Sequence, residues 1–129
     1  MRAVDTNVLL RLLTRDHAAQ TRAAEAFVAP GAWVSHLVLA ETVWVLSAVY
    51  EVPRPALLAA IESLLEHESL VVQDADVVHA ALQRAAARNA PGFTDCLVLE
   101  VARRAGHQTL GTFDKALGAR DGAQQLAAR

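Results

Sequence analysis

The sequence predicts an α/β fold, a short and mostly parallel sheet flanked by helices on both faces. Three observations carry that expectation. Hydrophobic residues make up 53% of the 129 residues and aromatics only 5%. The core must therefore be built from Ala, Val and Leu, which suits helices packed on a sheet better than an aromatic-rich all-β fold. Short apolar runs alternate with longer segments of helical periodicity, the order that crossover connections between parallel strands require. No repeat, linker or low-complexity tract interrupts the chain, so the length fits one domain over residues 1–129. A chain of that size buries roughly two-thirds of its unfolded surface, enough for a real core.

Each element follows from local pattern. The first strand ends at Val4, and residues 6–14 form a helix with Val8, Leu9, Leu12 and Leu13 on one face. Asp16 is placed to cap a second helix over 17–28, which Pro30 and Gly31 end. Residues 32–35 form a strand. The apolar stretch 37–50 forms a helix that stops before Pro53, and 55–67 another with Leu57, Leu58, Ile61, Leu64 and Leu65 buried. "SLVVQ" at 69–73 is a strand, and Asp74 or Asp76 caps a long helix reaching Asn89. After the "PGF" turn a helix spans 94–105, with Leu97, Val98, Val101 and Ala102 inward, and Gly106 stops it. Residues 107–114 hold the last clear strand. The tail is weakly patterned, with a final edge strand near Gln124 left open.

Bulk charge narrows the function. The net charge of −2 carries no basic field that would advertise nucleic acid. Eleven of the twelve cations are Arg, with Lys115 the one lysine. That bias suits phosphate contacts, and a GC-rich genome produces it equally. The single Cys96 excludes an internal disulfide and a cysteine-rich zinc site. The five histidines show no paired metal spacing. The N-terminus lacks a signal peptide pattern, and the apolar stretch 37–50 is too short to span a bilayer. A cytoplasmic protein with no membrane association is expected.

The chemistry is read from the carboxylates. Ligands of an open parallel sheet bind at the carboxyl ends of its strands. Asp5 follows the first strand, Asp114 follows "TLGT", and Asp95 opens a helix after a turn, so all three fall near one rim. A helix cap explains each one singly. Glu41 is different: its helical neighbours Leu37, Val38, Trp44, Val45 and Ala48 are apolar, which predicts an inward face with Trp44 in the core. A buried carboxylate needs a cation, either an Arg such as Arg11 or Arg103, or a metal shared with the other acids. Four converging acids push their pKa values apart, and a divalent ion removes the conflict. Hard Mg²⁺ or Mn²⁺ suits an all-oxygen set. Asn7 and Thr112 offer neutral hydrogen bonds to orient a carboxylate or a water. Arg11 and Arg15, one turn apart, fit either phosphate contacts or a solvated helix face.

"AVDTNVLLRLLTRD", "SHLVLAETVWVL", "GFTDCLVLEVARRAG" and "LGTFDKAL", in that order between residue 2 and about residue 117, resemble the motif blocks of the PIN-domain family. They are most similar to those of VapC-type toxins of toxin–antitoxin pairs. The resemblance implies a PIN-like three-layer sandwich and a Mg²⁺- or Mn²⁺-dependent endoribonuclease, held inactive by a cognate antitoxin and usually a homodimer. It assigns Asp5, Glu41, Asp95 and Asp114 as metal-holding catalytic acids, and Asn7 and Thr112 as supporting catalytic polar residues, with Thr6 a further candidate. It implies RNA cleavage leaving 5′-phosphate and 3′-hydroxyl ends. Thr94 stands where a small apolar residue is common in the family. Two other readings compete. A phospho-accepting receiver-like domain would need an acidic pair after the first strand, which is missing. A catalytically silent binding module would not need all four acids.

Overall fold

The computed structural model describes residues 1–128, which form two compact units, Met1–Ala75 and the chain from Asp76 onwards. In the first unit, β1 (Arg2–Ala3) leads through Val4 and Asp5 into α1 (Thr6–Thr14), followed by α2 (Ala18–Val28), β2 (Ala32–Val34), α3 (His36–Ala48), α4 (Arg54–Glu66) and β3 (Leu70–Val72). The strands pair in parallel in the order β1-β2-β3, with Ala3 opposite Trp33 and Val34 opposite Val72. Alternation decides what is buried: Ala32 and Val34 point into the core and Trp33 points out, as Leu70 and Val72 do around Val71. Gly31 makes the turn into β2 at a φ of 104°, a conformation that L side chains rarely adopt. Helix α1 packs on α2 and α3, and α4 on α3 and β3, around Leu9, Leu39, Ile61 and Val34.

The second unit is built on α5 (Ala75–Ala85), which starts at the boundary, then α6 (Phe93–Arg104), β4 (Leu110–Thr112), α7 (Lys115–Gly118) and β5 (Ala123–Gln125). Strands β4 and β5 form their own parallel ladder, Leu110 opposite Ala123 and Thr112 opposite Gln125. Ion pairs Arg84–Glu100 and Arg104–Asp76 tie α5 to α6. Core residues are Val78, Ala81, Cys96 and Leu99. Cys96 is the small buried residue expected, its Sγ 3.7 Å from the Pro91 carbonyl.

The parallel α/β class and the order of elements are as read, with differences of physical origin. Hydrogen bonding divides the strands into two ladders instead of one sheet. The edge strand left open at Gln124 is present as β5. Helix α5 stops at Ala85, well before Asn89. The α2 cap is His17, whose ring nitrogen accepts from the Gln20 N–H at 3.1 Å. Asp16 is drawn away instead by the Thr14 hydroxyl at 2.7 Å, by Arg11 and by the Tyr50 hydroxyl at 3.2 Å. No helix among the described residues is long and apolar enough to cross a membrane.

Candidate active site

Asp5 stands where the first strand gives way to α1, and it is an exposed cap. Its extended backbone turns the carboxylate onto the helix, and Oδ1 accepts from the Thr6 N–H at 2.7 Å. The next side chain, Thr6, is buried, and its hydroxyl has no hydrogen-bond partner among the described residues. Asn7 is exposed in the first turn and faces a groove between α1 and α2.

Glu41 does not sit on an inward face. It is exposed on α3, as are Leu37 at 84% and Trp44 at 64% exposure. The buried residues of this helix are Leu39, Thr42, Val43 and Leu46. Because α3 is apolar all round, periodicity alone could not select the face that packs. Burial therefore imposes no cation on Glu41, and neither arginine weighed as its partner is engaged with it: Arg11 pairs with Asp16, and Arg103 with Asp121. Arg15 is likewise ion-paired, to Glu25, so the α1 arginines are engaged within the helical layer.

In the second unit Asp95, Asp114 and Thr112 form a connected group. Asp95 lies in the first turn of α6, after Gly92, and is half-buried. Burial pushes its carboxyl above the usual carboxylate range, and the nearby charge of Asp114 pushes it in the same direction. Asp114 caps α7: its Oδ2 accepts from the Leu117 N–H at 2.8 Å. Its own backbone N–H donates to the Thr112 hydroxyl at 3.0 Å. The strand end thus fixes the acid through Thr112, while the short helix fixes its carboxylate. Helix α7 has only four residues, too short for periodicity to reveal.

The four acids are divided two and two between the units. Within either unit, no group of three or more His, Cys, Asp or Glu among the described residues is gathered to hold a metal ion. Asp95 and Asp114 are a pair, while Asp5 and Glu41 each stand on their own element. Four groove residues were not singled out from sequence, Gln20, Ala23, Ala24 and Phe27 of α2. Their spacing at i, i+3, i+4 and i+7, one face of a helix, was the one signal for them.

Parallel strands, the first four leading into helices, with Asp114 just past the end of β4 and Asp95 in the first turn of α6, define an α/β protein with an acidic site. Residues 2–123 match the family model of the PIN domain, and the chain belongs to the PIN domain family. No curated protein matches the sequence. Among solved structures the chain is similar to Mycobacterium tuberculosis VapC20, described as a sarcin–ricin loop cleaving toxin. The identity is 21%, over 92% of this chain and 94% of that one, with a TM-score of 0.42.

Proposed function

We propose that this chain is a Mg²⁺- or Mn²⁺-dependent endoribonuclease acting as the toxin of a toxin–antitoxin pair. Membership of the PIN domain family supports the class of activity. The observation that carries the reading is the Asp95–Asp114 pair, in which one carboxylate raises the pKa of the other. Such a pair fits a hard divalent ion, which takes one or two protein carboxylates and keeps much of its water. A bound ion of this kind supplies an activated water and charge neutralisation at a phosphodiester.

The chain's own residues prepare that site. Asp114 has one oxygen committed to the Leu117 N–H, which leaves Oδ1 as the ligand oxygen. Thr112 holds the Asp114 backbone, so the carboxylate does not have to be ordered when a ligand arrives. Asp95 brings a half-buried oxygen, partly stripped of water, where electrostatic attraction to a cation is strong. Asp5 and Glu41 are retained as further acidic ligands, and Asn7 as a neutral support, on the resemblance of their motifs alone. A cognate antitoxin, a homodimer and a cytoplasmic setting belong to the same proposal.

The test is cleavage of a panel of single-stranded and structured RNAs by the purified chain, with Mg²⁺, with Mn²⁺ and in EDTA. Cleavage that requires the ion and is lost in Asp95→Asn is expected. Full activity in EDTA, or undiminished activity of Asp95→Asn, overturns the proposal.

A further inference from the structure

The groove between α1 and α2 has chemistry that the carboxylates do not use. Its volume is about 470 Å³, within the range of small-molecule sites. Val8, Ala24 and Phe27 give it an apolar lining, and Asn7 and Gln20 bring primary amides from the two helices. Neither amide side chain has a hydrogen-bond partner among the described residues. Among the described residues, the one charged group lining the groove is a cation, Arg11, held by Asp16, and its buried Nε has no partner there. Phe27 is fixed from outside: the Arg2 guanidinium lies 3.9 Å over its ring centroid and donates to its carbonyl at 3.0 Å. No carboxylate is among the described residues that line the groove, so none is there to repel a polyanion. Asn7 is two residues from Asp5, so the groove begins within one helical turn of a proposed metal ligand.

We infer that this groove takes one base of the substrate RNA. The inference rests on the nuclease reading and assigns the first unit a substrate contact. A carboxamide presents a donor and an acceptor side by side, matched to the edge of a base. Single-stranded RNA offers such edges when a base is splayed out against an aromatic or apolar surface. A peptide helix would need a longer apolar trough and would leave two amides facing hydrocarbon. Because Phe27 and Arg11 are already held, little side-chain ordering is needed on binding.

The experiment is a titration of the isotopically labelled full chain with each of the four nucleoside 5′-monophosphates, with ribose 5-phosphate as the base-free control. The side-chain amide signals of Asn7 and Gln20 are expected to shift with at least one nucleotide and not with the control. Ala23→Trp, at an exposed position on the groove wall, should abolish the response. Gln20→Ala should weaken it on the order of tenfold and raise KM for RNA with kcat retained. An equal response to ribose 5-phosphate, or none to any nucleotide up to millimolar concentrations, overturns the inference. So does binding of an apolar helical peptide without a nucleotide response. If RNA is cleaved while the titration is silent, the groove assignment fails alone. If nucleotides bind but no RNA is cleaved, the nuclease reading fails, and the assignment of a substrate base falls with it, leaving the groove a nucleotide site only.

Discussion

Replacing Asp114 separates two jobs done by one side chain. Its Oδ2 caps α7 through the Leu117 N–H at 2.8 Å, and its charge raises the carboxyl of Asp95. Asp114→Asn keeps an oxygen for the cap and removes the charge, whereas Asp114→Ala removes both. The difference between the variants therefore isolates the cap, because the electrostatic change is common to them. An N-cap side chain contributes about 1 kcal/mol, within roughly 0.5–2. For a chain of this length that is roughly 3–5 °C in Tm. Urea unfolding at neutral pH should place Asp114→Ala below Asp114→Asn by this amount. NMR titration of the Asp95 carboxyl should show its pKa falling in both variants, with the part due to burial remaining. Equal stability of the two variants refutes the cap. An unmoved Asp95 refutes the charge contact on which the site proposal rests.

The pH dependence of Asp95 has a definite sign. Its folded pKa lies above the ordinary 3.8, so the folded chain binds the proton more tightly. Stability from this group therefore falls as pH rises from 3.8 through the raised value, and Asp95→Asn should gain on the wild type across that window, as read by unfolding at successive pH values. Asp16 runs the other way: the Thr14 hydroxyl, with Arg11, holds its carboxyl low, so its contribution is lost on acidification and Asp16→Asn should flatten the acid limb. Gly118→Ala should destabilise by about 1–3 kcal/mol in chemical unfolding, because an added Cβ would meet the Gln125 Cβ at 2.5 Å and its backbone nitrogen at 2.9 Å. Glu41→Gln should change stability by less than about 0.5 kcal/mol, since the side chain is exposed, whereas a buried, cation-bound Glu41 would give several times that.

What the sequence could and could not convey follows from the reach of each signal. Alternation and helical periodicity are local, so β2, β3, α1 and α4 emerged within a residue or two of where they stand. The face of α3 did not, because Leu37 and Trp44 are as apolar as Leu39 and Leu46, and only packing chooses between them. Strand β5 lacks the β-branched residues that mark strands. It is held by its ladder to β4 and by the close approach of Gly118, both products of the assembled unit. Asp16 looked like a cap until Tyr50, distant in sequence, is brought to its carboxylate. Within the site, Thr112 and Asp114 were readable as neighbours at a strand end. The electrostatic influence of Asp114 on Asp95 joins separate motifs, and it took the fold to show it.

The outward indole of Trp44 has a practical corollary. It is the more exposed of the chain's two tryptophans, and it stands on the same helix as Glu41. In the isolated chain its fluorescence should resemble that of an indole in water, red-shifted and readily quenched by iodide. Anything that settles over α3 will move the emission to the blue and shield it, so the protein carries an intrinsic optical gauge of whether that surface is covered.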